Sequence, residues 1–488
     1  MKKILICLLV LLTVLPAAVS CRQGENPRNE TKSTNADSAT TPKTSADTED
    51  PYADGVPEDL RFDGRTFVMT GPTPDGYRFF YQEEDSSEPV DSAVYKRNKL
   101  LEERFGIEIY GMELGYTDNH ADAFSSYALA EDDVIDVLGI GFYQSAASMI
   151  TSGYAVPWNN VKYINLDKQW WNKSVSETLA ILGNYYYLSG DINWNAMGTT
   201  SVFFFNKKVA GDNSELVGDI YETVRKGEWT QDLLMKYVKA YSRDNGDGIW
   251  DSHDYYGLVQ NGHTFPSYGC NAGIKTVLFK DNGVDIDIMN DKLVSIVEYA
   301  YSLVCDPTLT FWRYTTDELS PIFFADRALF MNSVLGDCQW WREYTSDFGI
   351  IPLPKYNEEQ EDYISYSDQW GLVLALPCTA SDTDRTGAVL EAMAALSRKY
   401  VVPAYYDITL NGRWRRDDES EEMLDIIFTN IFYDPGMAYV NSLDRIPVRA
   451  CLSAGNGNLS SWYYANESVL YENYYNLYNY VKGHLSAG

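Results

Sequence analysis

Basic residues are scarce: Lys and Arg number 39 against 70 Asp and Glu, for a formal charge of −31. A surface this acidic repels a phosphate backbone and argues against nucleic-acid binding. Histidine is rarer still, with 4 in the chain, which speaks against a metal-dependent hydrolase. No Gly-rich phosphate loop, HExxH helix or GxSxG elbow is present, so these nucleotide-binding and hydrolytic signatures are missing. No segment repeats with a period of about 20 to 50 residues, which disfavours solenoids and propellers. Past residue 20 no apolar run is long enough to span a bilayer. Cysteines are few. Apart from Cys7 and Cys21 there are Cys270, Cys305, Cys338, Cys378 and Cys451, an odd set without metal-ligand spacing. Buried free thiols are the plainer reading than a disulfide framework.

What is present begins with a leader. Lys2 and Lys3 precede an apolar run from Ile4 to Leu15 and then small residues up to Cys21. The run is too short to span a bilayer and reads as a secretory signal over residues 1–20. Ala18-Val19-Ser20-Cys21 resembles a bacterial lipobox, with Ala at the leading position where Leu is commoner. It implies lipidation of Cys21 and a membrane anchor facing the outside of a Gram-positive-type cell. Residues 21–57 are polar with almost no apolar side chains, so they read as a disordered tether. The rest of the chain exceeds what one hydrophobic core usually holds, and two lobes are expected.

Trp and Tyr are abundant, 12 and 38. Flat rings stack on the C–H faces of sugars, and they equally fill a large core, so composition leaves both readings open. Along the chain, strand-like and helix-like stretches alternate. RFDGRTFVMT reads as a strand, SAVYKRNKLLEERF as a helix stopped by Gly106, GIEIYGMEL and DVIDVLGI as further strands. A second series starts at SVFFFNKKV and includes strands at Tyr256–Val259, Ala328–Asn332, Phe348–Pro352 and Gly371–Pro377, with helices at Trp229–Tyr241, Ala388–Ser397 and Glu421–Phe432. The alternation predicts α/β lobes with mostly parallel sheets.

Several stretches, in shared order, carry a resemblance. DDVIDVLGIGFYQSAASMITSGYAVPWN, SVFFFNKKV, FFADRALFMNSVLGDCQWW and FGIIPLPKYNEEQEDY resemble the extracellular solute-binding proteins of ABC importers, in the carbohydrate branch that includes maltose-binding protein. The resemblance implies a type II periplasmic-binding-protein-like fold, with two α/β lobes joined by a hinge around a ligand cleft. It places lobe 1 at 58–198 with a return at about 371–406, and lobe 2 at 199–370 with C-terminal helices at about 407–488. It implies a monomer that captures a small solute, with a sugar favoured, and hands it to permease subunits without catalysis. Carried over stretch by stretch, it assigns Phe142, Tyr143, Gln144, Asp191, Asn193, Trp194 and Thr199 to the ligand from the first lobe. From the second lobe and hinge it assigns Gln260, Asn261, His263, Asp337, Trp340 and Trp370. Where the family often carries a Trp and an Asp after the DVLGIG strand, this chain carries neither. Trp340 and Trp341 are adjacent, and in an extended segment only one of them reaches the ligand.

The segment SRDNGDGIWDSHDYYG resembles a calcium loop. Asp244, Asn245, Asp247, the Ile249 carbonyl, Asp251 and Asp254 would be the ligands of a structural ion, and no other cofactor is called for. Arg243 at the first position, and Asp rather than Glu at the last, depart from that pattern, and a solvated acidic turn is the alternative. Two further classes remain open: a secreted glycoside hydrolase using two carboxylates, and a polysaccharide-binding adhesin.

Overall fold

The computed structural model describes residues 50–71, 76–114, 119–341, 344–368, 371–411 and 419–485, without the side chains of Gln144 and 407–411. The leader, Cys21 and most of the tether lie outside these residues. The end of the tether is packed, which moves its boundary: Val56 is buried, and the Asp54 carboxylate takes Arg104 Nη1 at 2.5 Å and Nη2 at 3.0 Å. No helix among the described residues is long and apolar enough to cross a membrane.

The first strands are β1 (Thr66–Gly71), β2 (Glu108–Glu113), β3 (Val137–Gly141), β4 (Ala155–Val156) and β5 (Tyr187–Leu188). Next come β6 (Ser201–Asn206), β7 (Tyr256–Asn261), the hairpin β8 (Val277–Lys280) and β9 (Gly283–Ile286), β10 (Thr310–Arg313) and β11 (Ala328–Val334). The last are β12 (Phe348–Ile351), β13 (Ser365–Tyr366), β14 (Leu372–Pro377) and β15 (Ile431–Phe432). One sheet has the order β2-β1-β3-β14-β4, with β5 also on β14, and a second has β10-β7-β11-β6-β12.

Both sheets are mixed rather than mostly parallel, and the chain path gives the reason. β1, β2 and β3 run parallel, as do β7, β10 and β11. β14 enters the first sheet from the second lobe, so its first residue Leu372 pairs with Gly141 at the end of β3. β6 enters the second sheet from the first lobe, so Ser201 pairs with Val334 at the end of β11. Each crossing strand starts where the parallel strands finish and must run against them.

Local chemistry accounts for the elements. Pro89 sits at the start of the helix Pro89–Phe105, and Gly106 ends it at φ 65° with its N–H on the Glu102 carbonyl. Asn206 closes β6 and caps the next helix by accepting from Val209 N at 2.9 Å. Within β6, Phe203 and Phe205 pack on one face while Val202 and Phe204 pack on the other. Residues expected to continue a helix to Phe432 instead leave it at Thr429, and Ile431–Phe432 pairs with β13. The helix Leu459–Leu485 lies against the helix Phe142–Thr151 and against β9. The five cysteines from Cys270 onward are all free thiols, with Cys270, Cys338 and Cys451 buried, Cys305 half-buried and Cys378 exposed.

Candidate functional site

Two of the stretches of backbone between the sheets are tied together. Asp368 N donates to the Thr199 carbonyl at 2.9 Å, and the hydroxyls of Thr199 and Ser367 are 3.1 Å apart. Leu335 N donates to the Thr200 carbonyl at 2.9 Å, which fastens the crossover to the end of β11. Beside it, Gly336 approaches so closely that a Cβ there would lie 3.0 Å from the Gly198 carbonyl oxygen.

At the carboxyl ends of β7, β10 and β11 the chain leaves a cleft of about 440 Å³, lined by Asn261, His263, Tyr314, Asp337, Trp340 and Asp368 among others. Open sheets place ligands at such ends. Asn261 is the last residue of β7; its amide donates to Ser333 Oγ at 3.1 Å and its carbonyl oxygen caps His263 N at 3.0 Å. Gly262 lets the Tyr314 ring pack close, 2.8 Å from where a Cβ would be. Burial, reinforced by Arg449, pushes the His263 imidazole down to about 4, so it is neutral at pH 7 and offers one donor and one acceptor. Burial pushes the Asp337 carboxyl up to about 6, against the pull of the Ser333 hydroxyl bonded to it. The segment Leu335–Trp341 is a 3-10 helix rather than extended. Trp341 turns inward onto Phe204, with ring centroids 4.9 Å apart, and Trp340 is 71% exposed at the cleft.

A second cavity of about 280 Å³ takes Asp191, Asn193 and Trp194 from the crossover together with Arg398, Tyr406 and Phe428. Among the described residues none lines both cavities.

The structure thus divides the residues assigned from the sequence. Asn261, His263, Asp337 and Trp340 meet in the cleft, while Asp191, Asn193 and Trp194 meet in the second cavity instead of facing them. Phe142 and Tyr143 have no exposed surface, because the helix starts directly after Gly141 and turns both rings into the core. Phe142 packs against Tyr433, and the Tyr143 hydroxyl donates to the Ser367 carbonyl at 3.1 Å. Gln260 is also buried; its amide donates to Asn332 Oδ1 at 2.6 Å and accepts from the Tyr268 hydroxyl at 3.1 Å, so it supports the cleft floor from below. Thr199 belongs to the hinge. The Gln144 side chain and Trp370 lie outside the described residues. Sequence reasoning missed Tyr314, Arg398, Tyr406 and Phe428, which no local motif marks.

The loop at 244–254 is folded back on itself. Its carboxylates are turned onto its own backbone: Asp254 accepts from Asn245 N and Asp251 N, both at 2.7 Å, and Asp244 accepts from Gly246 N at 2.5 Å and Gly248 N at 3.1 Å. Arg243 lies 3.8 Å over the Tyr255 ring. Among the described residues no three His, Cys, Asp or Glu side chains converge to hold a metal. The Asx-rich pattern is used as a run of Asx turns.

No protein-family model matches the chain, and no curated protein matches it in sequence. Solved structures do. The galacto-N-biose-/lacto-N-biose I-binding protein of an ABC transporter from Bifidobacterium longum, in complex with lacto-N-biose, matches with a TM-score of 0.54 at 12% identity over 84% of this chain and 98% of that one. A cyclo/maltodextrin-binding protein complexed with maltotetraose gives 0.53 at 13% identity over 86% and 97%. An ABC substrate-binding protein from Listeria monocytogenes, in complex with cycloalternan, gives 0.50 at 12% identity over 84% and 98%. These neighbours are binding proteins rather than enzymes. The chain therefore has the two-lobed, type II fold of the sugar-binding proteins of ABC importers.

Proposed function

We propose that this chain is an exported, lipid-anchored receptor that captures a neutral sugar in the cleft at the ends of β7, β10 and β11 and delivers it to ABC permease subunits. One observation carries the reading: an exposed Trp340 stands beside a buried carboxylate, Asp337, and a neutral imidazole, His263, next to the hinge. The ring offers a stacking face, and the polar groups offer acceptors and a donor for hydroxyls. Asp317, Asp337 and Asp368 all line this cleft, which favours an uncharged solute over a phosphate ester. Closure would follow from a solute that contacts both lobes at once.

Titration calorimetry with maltotetraose, lacto-N-biose and tagatose tests this. The parent should bind at least one of them. Trp340→Ala should weaken that binding roughly five- to a hundredfold with no change in Tm, since the ring is mostly exposed. No binding of any of the three, or equal affinity in the variant, would remove the assignment. The recovered sugar should be chemically unchanged, which separates capture from hydrolysis. Anchoring is checked by fatty-acid labelling of cells, which should be lost in Cys21→Ser. Monomeric behaviour is checked by sedimentation.

A further inference from the structure

Arg449 is a cation without a carboxylate. Among the described residues no Asp or Glu stands within ion-pair distance of it, and its Nε is buried with no hydrogen-bond partner. Its guanidinium lies 5.4 Å from the centroid of the Tyr314 ring, and its charge acts on His263.

The local sequence brings a second side chain to the same ring. Pro447 starts the short helix Pro447–Ser453, whose Val448, Cys451 and Leu452 are buried. Arg449 and Ser453 are four residues apart, so they rise from one face of that helix. The Ser453 and Tyr314 hydroxyls are 2.7 Å apart. The helix is braced in turn, because it packs on the helix Asp291–Val304 and on the helix Leu459–Leu485. Tyr314 follows directly on β10, is 37% exposed, and lines the cleft together with His263. The two rings meet edge-on, with centroids 5.1 Å apart at 61°. Arg449 and Ser453 do not line the cleft themselves.

Charge accounts for a cation at this place. Asp317, Asp337 and Asp368 line the same cleft, and carboxylates draw a neighbouring imidazole toward its charged form. An imidazolium would occupy the acceptors that the hydroxyls of a solute need. Burial and the charge of Arg449 both oppose this. With no carboxylate to neutralise it, Arg449 exerts its full field on the imidazole.

We propose that Arg449 and Ser453 are positioning residues for the cleft: one helix face outside it fixes the Tyr314 ring as a wall and selects the form in which His263 meets a solute. Tyr314 then gives the cleft a second aromatic surface besides Trp340. The inference rests on the function proposed above for this cleft.

The first arm of the test uses the ligand-free chain and needs no solute. His263, one of 4 histidines, is followed by NMR. Its titration midpoint near 4 should rise by at least roughly half a pH unit in Arg449→Met and stay in place in Arg449→Lys. Tyr314 and the three cleft carboxylates, the other ionisable groups around it, are the same in all these forms. In Ser453→Ala the His263 ring protons should move toward their positions without the Tyr314 ring current. The second arm titrates maltotetraose, lacto-N-biose and tagatose. For whichever binds the parent, Ser453→Ala and Tyr314→Phe should each weaken binding roughly two- to tenfold, and the double variant no further. An unmoved midpoint in Arg449→Met, unmoved ring protons in Ser453→Ala, or additive losses in the double variant would overturn the inference. A lowered Tm with unchanged His263 spectra would mark both residues as merely structural and would overturn it as well. If none of the three sugars binds, the function proposed for the cleft falls, and the His263 spectra alone decide the positioning roles.

Discussion

Glu391 allows a sharp test of how the first lobe is held. It sits fully buried in the apolar helix Thr383–Leu396 and receives three donors: Trp170 Nε1 at 3.0 Å, Trp171 Nε1 at 2.7 Å and Asn165 N at 3.1 Å. Burial nevertheless pushes its carboxyl up from 4.5 to about 7, the indole and amide donors opposing it only in part. The folded protein then binds more protons here than the unfolded chain between these two values, so stability falls as pH rises through that window. The change corresponds to about 3 kcal/mol. Gln at this position does not titrate. Urea unfolding of parent and Glu391→Gln at pH 4 and pH 8 isolates the effect, because every other carboxyl titrates in both proteins. The stability of the parent relative to the variant should drop by about 3 kcal/mol from pH 4 to pH 8. A constant difference would mean that Glu391 titrates normally. A difference of opposite sign would mean that the three donors outweigh burial.

Two further outcomes follow from the site description. Phe142→Ala should cost about 3 to 5 kcal/mol in urea unfolding and leave sugar affinity within twofold of the parent, because the ring lies in the core and not in the cleft. Asp254→Ala removes the acceptor of two backbone N–H groups and should cost roughly 2 kcal/mol, equally in calcium and in chelator; a cost that appears only with calcium would restore the metal reading.

The fold was legible where local chemistry decides it. Gly106 marks a helix end, the unbroken apolar run of SVFFF marks a strand buried on both faces, and Asn206 marks the turn into the next helix. The mixed character of the sheets was not legible, since strand direction depends on the chain crossing between lobes. Site residues fared worse where the answer depended on what packs from far away. Phe142 and Tyr143 look like a loop after a strand, but the helix begins at once and Tyr433, Tyr366 and Ser367 from later in the chain cover them. Trp340 and Trp341 differ only in how a 3-10 turn presents them to a core supplied by Phe204, Phe324 and Phe348. Asp191 and Trp194 line one cavity, but it is completed by Arg398, Tyr406 and Phe428 from far along the chain. The signal that pointed to Glu391 was available: one acidic residue in AVLEAMAALS must find partners, and the WW pair could supply them.

The position of the cleft follows from the same backbone that makes the hinge. Because β14 starts opposite the end of β3 and β6 starts opposite the end of β11, both crossings pass the carboxyl ends of the parallel strands. Thr199 and Thr200 are bonded on one side to Asp368 and on the other to Leu335, and Gly198 lies close against Gly336, where a Cβ would sit 3.0 Å from the Gly198 carbonyl oxygen. Asp337 and Trp340 follow within a few residues on the same short helix. A rotation of the crossover that left that helix behind would give up the Leu335–Thr200 backbone hydrogen bond and the Gly198–Gly336 contact. Under the proposed function, hinge rotation and the placement of Trp340 and Asp337 would then be coupled, and a solute that favours one position of these groups would favour one angle of the hinge.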